Sequence, residues 1–278
     1  IVLSDQQIRV QNIAGTVAGG TISGQFAWNV RRSGRSFVVL TLNNVESSTL
    51  LAPWLEDQIK GPIQARIRGN LSDAWRGSAE LELSRGAVFG LQVAQWRIPL
   101  VWAYAPSQGR LQLDVHETSA QIARGRVNGK LSFTFDRTAR VEGTVKFDNV
   151  DLQEFLRQTV GASEAAGGRM KGQIDFAGSE MRSLDDLKAS IGASFQQTQA
   201  MQLPVLKQIA PFLGVGATTT FQNGNLAARL DRGVVRIQQM TLQGNNAQVY
   251  LDGNVTLEGR LNLDVVAKTS DLGLPTER

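Results

Sequence analysis

The chain contains no cysteine among its 278 residues. Disulfide bonds, thiol nucleophiles and thiolate metal ligands are therefore all excluded. Histidine is nearly absent as well, because His116 is the only one, and this excludes a histidine-rich zinc site. The chain also lacks any apolar run of the 18 or more residues that a membrane-spanning helix requires.

Charged side chains are scarce too. They make up 19% of the chain, against a usual share of about 25%, while glycine reaches 28 residues. This composition favours β-structure interrupted by glycine over helical bundles. The net charge is +4, and no run of basic residues is longer than the pair Arg31-Arg32. Scattered arginines explain this charge, so we expect no nucleic-acid partner.

The few candidate catalytic residues have simpler explanations. His116 follows Leu113 and Val115 in an alternating pattern, which places it on the polar side of a strand. No G-x-S-x-G motif supplies a nucleophile for a catalytic triad. Asp185 and Asp186 fit a turn or a helix cap better than an acid/base pair. We therefore predict no catalytic residue, no metal and no cofactor, and we do not expect an enzyme.

An internal repeat is the most informative feature that is present. Residues 22–51 align with residues 127–156 without a gap, at an offset of 105. Gly24 then matches Gly129, and the pair Asn44-Val45 matches Asn149-Val150. Apolar positions also coincide, as Phe26 does with Leu131 and Leu42 with Phe147. The repeat predicts two tandem units, residues 1–126 with partial preceding strands and residues 127–270, followed by a polar tail at 271–278.

Alternation of apolar and polar residues dominates both units. In residues 127–135, the odd positions are apolar or glycine and the even positions are polar, which is typical of a strand with one apolar side. Short turn sequences such as Asn223-Gly224-Asn225 separate the strands and indicate antiparallel hairpins. We predict an all-β fold with a few short helices, in which an elongated antiparallel sheet curls into an open groove.

Three helices and one linker interrupt the strands. A helix over 151–159 begins at an Asp suited to an N-cap, and its counterpart in the first unit covers 46–59. A third helix is predicted over 203–214, where it would be able to plug the groove. Residues 161–168, rich in Gly and Ala, form the flexible linker.

Several segments resemble one family. The stretches GRMKGQIDFAGS at 168–179, SLDDLKAS at 183–190, LPVLKQI at 203–209 and LQGNNAQVYLDGNVTLEGRLNLDV at 242–265 resemble the C-terminal region of AsmA-like proteins. The likeness covers about residues 143–268, and the first unit matches more loosely. The resemblance implies a bacterial envelope protein related to TamB and the bridge-like lipid-transfer proteins. It also implies a periplasmic location, with an inner-membrane anchor outside this chain.

The resemblance further implies a phospholipid or another envelope lipid as the partner, and other envelope or outer-membrane proteins as possible partners. A lipid crossing water exposes about 25–30 methylenes at about 0.8 kcal/mol each, so an apolar trough would lower the barrier to its movement. The predicted lipid-binding residues share the apolar side of their strands. They are Phe26, Trp28, Leu131, Phe133, Phe135, Val145, Phe147, Val255 and Leu257.

Three classes of function remain open at this point. The first is a segment that holds or conducts phospholipid between the inner and outer membranes. The second is a structural or chaperoning scaffold for outer-membrane biogenesis, with a closed dry core and sheet edges that contact partners. The third is a repeat-built enzyme acting on glycans, which would need clustered acids. We also expect the strand-like sequence at 1–10 to continue into another strand in the full protein, and the chain end at 269–278 to be a natural boundary.

Overall fold

The structure is a computed structural model. It describes residues 2–4, 7–29, 36–50, 58–71, 74–160, 167–199, 219–245, 247–256 and 260–269. These residues form 17 strands and two short α-helices, and the strands belong to an antiparallel sheet that is not closed. The predicted fold class, an open all-β antiparallel sheet with few short helices, is confirmed. No helix in the described ranges is long and apolar enough to cross a membrane.

The chain divides into two compact units. Unit 1 contains Ile1–Ile122, Val127–Val145 and Ala177–Ser183, and unit 2 contains Ala123–Arg126, Lys146–Phe176 and Leu184–Arg278. These units differ from the two predicted repeat units, because Val127–Val145 belongs to unit 1. The boundaries of the repeats were placed where similar sequence begins and ends, whereas the compact units are defined by which residues pack together.

Unit 1 is an antiparallel meander in which successive strands pair, except that β6 pairs with β4 while β5 pairs with β7. Its strands are β1 (Val2–Ser4), β2 (Gln7–Val17), β3 (Gly20–Asn29), β4 (Phe37–Glu46), β5 (Ile59–Lys60), β6 (Pro62–Leu71), β7 (Trp75–Val88), β8 (Leu91–Ala105) and β9 (Arg110–Ile122). The short helix α1 (Ser47–Leu50) follows β4.

Three further strands contribute residues to both units: β10 (Gly125–Phe135), β11 (Ala139–Asp151) and β12 (Arg169–Met181). The remaining elements lie in unit 2. They are α2 (Leu152–Val160), a 3₁₀ turn (Leu184–Asp186), β13 (Leu187–Thr198), β14 (Phe221–Asp231), β15 (Val234–Gly244), β16 (Ala247–Thr256) and β17 (Leu261–Thr269). Strands β13 to β17 pair in sequence order, all antiparallel.

Helix α2 matches the prediction for 151–159 to within one residue. The Asp151 carboxylate accepts a hydrogen bond from the Glu154 amide at 3.0 Å, which is the expected N-cap. On the helix surface, hydrogen bonds donated by Arg157 and Gln158 hold the pKa of Glu154 below its ordinary value.

The other helical predictions fare differently. The helix predicted over 46–59 is wrong at its end, because Ile59 lies in β5 and pairs with Val88. Ile is β-branched and has a high β-propensity, and at this position strand pairing outweighs the helical spacing before it. The helix predicted over 203–214 and most of the linker lie outside the described residues. Asp185 and Asp186 lie in the 3₁₀ turn, in agreement with the prediction of a turn or a helix cap at this pair.

The repeat is visible as a shared corner of backbone in each unit. Asn44 and Asn149 both adopt left-handed conformations, with φ of 55° and 53°. The next residue, Val45 or Val150, is buried at 0% or 2% exposure. The following amide then donates to the carbonyl of Ala18 or Ala123 at 3.0 or 2.9 Å. In the first repeat the pairing of β4 with β6 shifts between Leu42 and Val45, so Asn44 lies in a β-bulge, and in both repeats the residue after the left-handed Asn is a buried valine.

Candidate functional site

Strand register divides unit 1 into two faces. Directly paired residues in a sheet share a side, so Val10, Phe26 and Val38 lie in one row, and Gly69, Gly77 and Trp102 continue it. We call this side the apolar face of unit 1 and the other its polar face. Between Ile8 and Tyr104, the paired positions on the apolar face carry no charged side chain. Its larger members are Ile8, Val10, Ile22, Phe26, Trp28, Val38, Leu40, Leu42, Ile67, Leu81, Ile98, Leu100, Trp102 and Tyr104.

Burial along this face is graded. At one end, a core cluster of Leu42, Val45, Ile63, Ala65 and Leu83 is buried. Further from that cluster, the face is only half-buried; this part comprises Phe26, Trp28, Leu40, Ile67, Leu100 and Trp102. The apolar face of unit 1 is therefore closed by its own side chains at one end, and over the rest its larger side chains are half-buried, while Ala79 and Leu71 are buried.

Three aromatic rings mark the end of the apolar face opposite the core cluster. Trp75 and Tyr104 are cross-strand neighbours with ring centroids 5.4 Å apart, and Trp28 meets Trp75 edge to face at 5.9 Å. Trp28 lies on β3 and Trp75 on β7, so their rings span the ends of β4 and β6, the two strands between them. Such edge-to-face pairs stabilise this end beyond simple burial.

The Trp102 ring lies over two glycines. A Cβ atom added at Gly77 would lie 2.6 Å from the indole ring, and one added at Gly69 would also meet it. The ring therefore lies close against the sheet, where it protects glycine backbone that would otherwise face solvent. The buried Trp102 Nε1 has no hydrogen-bond partner among the described residues.

Unit 2 has an apolar face of its own, built the same way. Its core cluster contains Phe221, Leu242, Ala247, Val249 and Leu251. Around this cluster lie half-buried apolar side chains that share its side of the strands. They are Ile191, Leu226, Leu230, Val235, Ile237, Met240, Val255, Leu263 and Val265.

The predicted site residues of the first repeat lie on the apolar face. Phe26 pairs with Val10 and Val38, and Trp28 belongs to the aromatic trio. Both side chains are half-buried.

The predicted residues on β10 and β11 share one side of these strands. A Cβ atom at Gly129 would lie 3.5 Å from the Val145 side chain, and Leu131 and Phe133 have the parity of Gly129. Phe135 ends β10 and is 46% exposed. Phe147 lies two residues beyond Val145, and its ring tip would be 2.6 Å from a Cβ at Gly172, so it covers a glycine as Trp102 does.

On β16, Val255 pairs with Val235 and Leu261 on the apolar face of unit 2. Leu257 lies outside the described residues. Predicted residues thus fall into separate groups, one on β3, one on β10 and β11, and one on β16.

The polar face of unit 1 carries several hydrogen-bonded side chains. Ser132 Oγ donates to Asp114 at 2.7 Å, and Gln112 donates to the other oxygen of the same carboxylate at 2.8 Å. His116 is exposed, as predicted. Among the described residues, no group of three or more His, Cys, Asp or Glu side chains is placed to hold a metal ion.

The sequence analysis did not predict much of the apolar face of unit 1. The run Trp96, Ile98, Leu100, Trp102, Tyr104 on β8 alternates strictly, but Pro99 within it argues against a central strand. The structure accommodates this proline where the pairing of β8 with β9 shifts, between Arg97 and Val101. Because a proline cannot donate to the ladder, it is tolerated at such an interruption.

Comparisons with known protein families, with characterised proteins and with solved structures find no match to this chain.

Proposed function

We propose that this chain is a non-enzymatic envelope protein segment that binds the acyl chains of phospholipids on its apolar faces and so supports lipid transport between the bacterial inner and outer membranes. One observation carries the proposal. From Ile8 to Tyr104 the paired positions on the apolar face of unit 1 carry no charge, yet the larger side chains of its middle rows stay half-buried.

Half-burial distinguishes this face from an ordinary core. In a sandwich, a second layer of side chains covers such rows and buries them. In unit 1 the core cluster is buried, and Ala79 and Leu71 are buried elsewhere on the face, but the larger side chains of the middle rows are not. An apolar side chain left in water loses about 25 cal/mol per Å² of the stabilisation that burial would give. An acyl chain that lies along the rows would recover this free energy, and it needs no specific polar contact.

Transport between the two membranes, the periplasmic location and the inner-membrane anchor rest on the resemblance to AsmA-like proteins. The second candidate is a scaffold for outer-membrane biogenesis with a dry core. The two buried clusters favour it locally, because each already forms a closed core without a ligand.

Leu100 and Val101 provide a matched test. They are adjacent apolar residues on opposite faces, Leu100 half-buried on the apolar face and Val101 40% exposed on the polar face. A photo-crosslinking amino acid at Leu100 should capture phospholipid from vesicles of phosphatidylcholine alone, and one at Val101 should not. Mass spectrometry of the adducts identifies the lipid.

The more exposed position is the control, so non-specific adhesion of lipid would label Val101 at least as strongly as Leu100. Equal capture at the two positions would contradict the proposal. Capture at neither position would favour the scaffold with a dry core. Phe133 and Thr134, adjacent on β10 with opposite parity, repeat the test in the second repeat.

A further inference from the structure

The polar face of unit 1 contains a depression that the proposed function does not use. It has a volume of about 350 Å³, and it lies over β4, β6, β7 and β8. Its rim includes Arg68, Asn70, Arg76 and Ser78, with Val39 and Val101 on either side. We propose that this depression binds a phosphoryl group through Arg68 and Arg76.

The register brings the two guanidinium groups to one place. Arg68 is directly opposite Ser78, and Asn70 is directly opposite Arg76. Arg68 and Arg76 are therefore diagonal neighbours on the same face, with Cβ atoms about 7 Å apart, within reach of long side chains. Two forked donors at that spacing suit the several oxygens of a phosphoryl group, and the Ser78 hydroxyl and Asn70 amide add uncharged donors.

The charges around the two arginines are not balanced. The direct cross-strand neighbours of Arg68 are Val39 and Ser78, and those of Arg76 are Asn70 and Ala103, none of which is acidic. Within the described part of the chain, neither guanidinium takes part in an ion pair. Two like charges held as neighbours repel each other, and a bound dianion would replace that repulsion with attraction.

A second depression on the same polar face shows the contrast. It measures about 370 Å³, and its lining includes Arg66, Glu80, Glu82 and Arg97. There, Arg66 is directly opposite Glu80 and Glu82 is directly opposite Arg97, so each cation has an acid beside it. Glu80, the acid diagonal to Arg68, already faces Arg66. Of these two depressions, therefore, only the one that contains Arg68 and Arg76 should prefer an anion.

Calorimetry with inorganic phosphate tests the site on the whole chain. Phosphate should bind at constant ionic strength, and Arg68→Gln or Arg76→Gln should weaken binding about tenfold or more, as expected for the loss of one charge-assisted contact. Arg97→Gln is the matched control, since it removes the same charge from the neighbouring depression, and its acidic partner Glu82 is not a cross-strand neighbour of Arg68. Circular dichroism confirms that each variant is folded.

Flotation with vesicles separates the two sources of phosphoryl groups. If phosphatidic acid in phosphatidylcholine recruits the protein, phosphatidylcholine alone does not, and free phosphate competes, the site accepts a lipid headgroup. Phosphate binding without recruitment means a soluble phosphate ligand. The proposal is overturned if phosphate does not bind, or if Arg97→Gln weakens binding as much as Arg68→Gln and Arg76→Gln.

Discussion

The corner of the first repeat and the corner of the second repeat have the same backbone and different side-chain chemistry. In both corners, the amide after the Asn-Val-acid sequence donates to a glycine carbonyl at 3.0 Å, from Ser47 to Gly61 and from Leu152 to Gly168. Gly61 and Gly168 also share unusual φ values of 132° and 135°. The left-handed Asn, the buried valine and the glycine that accepts the hydrogen bond are thus the parts that both repeats keep.

The acidic residue in each corner acts differently. Glu46 accepts a hydrogen bond from the Gly61 amide at 2.8 Å, whereas Asp151 caps α2 through the Glu154 amide. Asp151 also lies within 4 Å of two arginine side chains, Arg124 at 3.7 Å and Arg169 at 3.9 Å. The comparison shows that backbone geometry defines the repeat and that local polar contacts vary around it.

The largest effect is expected from the glycines that pass closest to the corner. A Cβ at Gly125 would lie 2.6 Å from Val150 Cα, and one at Gly20 would lie 2.6 Å from the Asn44 carbonyl carbon. Because backbone atoms cannot move aside cheaply, Gly125→Ala and Gly20→Ala should each lower the free energy of unfolding by about 3 kcal/mol, measured by urea denaturation.

The control for these glycines is Gly192→Ala in β13, where an added Cβ meets nothing within 4 Å. That variant should change the free energy of unfolding by less than about 0.5 kcal/mol. If Gly125→Ala unfolds at the same urea concentration as Gly192→Ala, the corner accommodates the added Cβ and the predicted clash with the Val150 backbone is wrong.

A smaller effect is expected from the buried valines. Val45→Ala and Val150→Ala each remove two carbons from a buried site, at about 0.8 kcal/mol per carbon plus the cost of a cavity, or about 2 kcal/mol. The two variants should cost nearly the same if the corners are equivalent. Urea denaturation of both variants checks this, and a difference as large as either loss would contradict the equivalence.

The smallest effect is expected from the acidic residues of the two corners, and it should differ between them. Asp151→Ala removes the N-cap of α2 and should cost about 1 kcal/mol, with faster hydrogen exchange at the Glu154 amide. Asp151→Asn retains the acceptor and should restore slow exchange at that amide. Glu46→Ala should leave the Glu154 amide unchanged, and protection there that depends on Glu46 would contradict this assignment.

Local pattern was enough to predict the strands and their apolar side. In β3, β10, β11 and β16, alternation placed Phe26, Phe133, Val145 and Val255 on the apolar side, because side chains in a strand alternate whatever the partner strand is. The α2 N-cap was predictable for the same reason, since a cap depends on residues a few positions apart. The family likeness and the lipid function stay predictions.

What the amino-acid sequence determined by itself is therefore the all-β class, the repeat and the identity of the apolar side. Only the tertiary structure decided which apolar residues are sealed in a cluster, as Val45 is, and which remain half-buried, as Leu100 does. Only the tertiary structure shows that Trp28 contacts Trp75 across the two strands between them. It also places Arg68 and Arg76 on neighbouring, directly paired strands. Burial and cross-strand neighbours depend on register between segments distant in the chain, and no local pattern specifies that register.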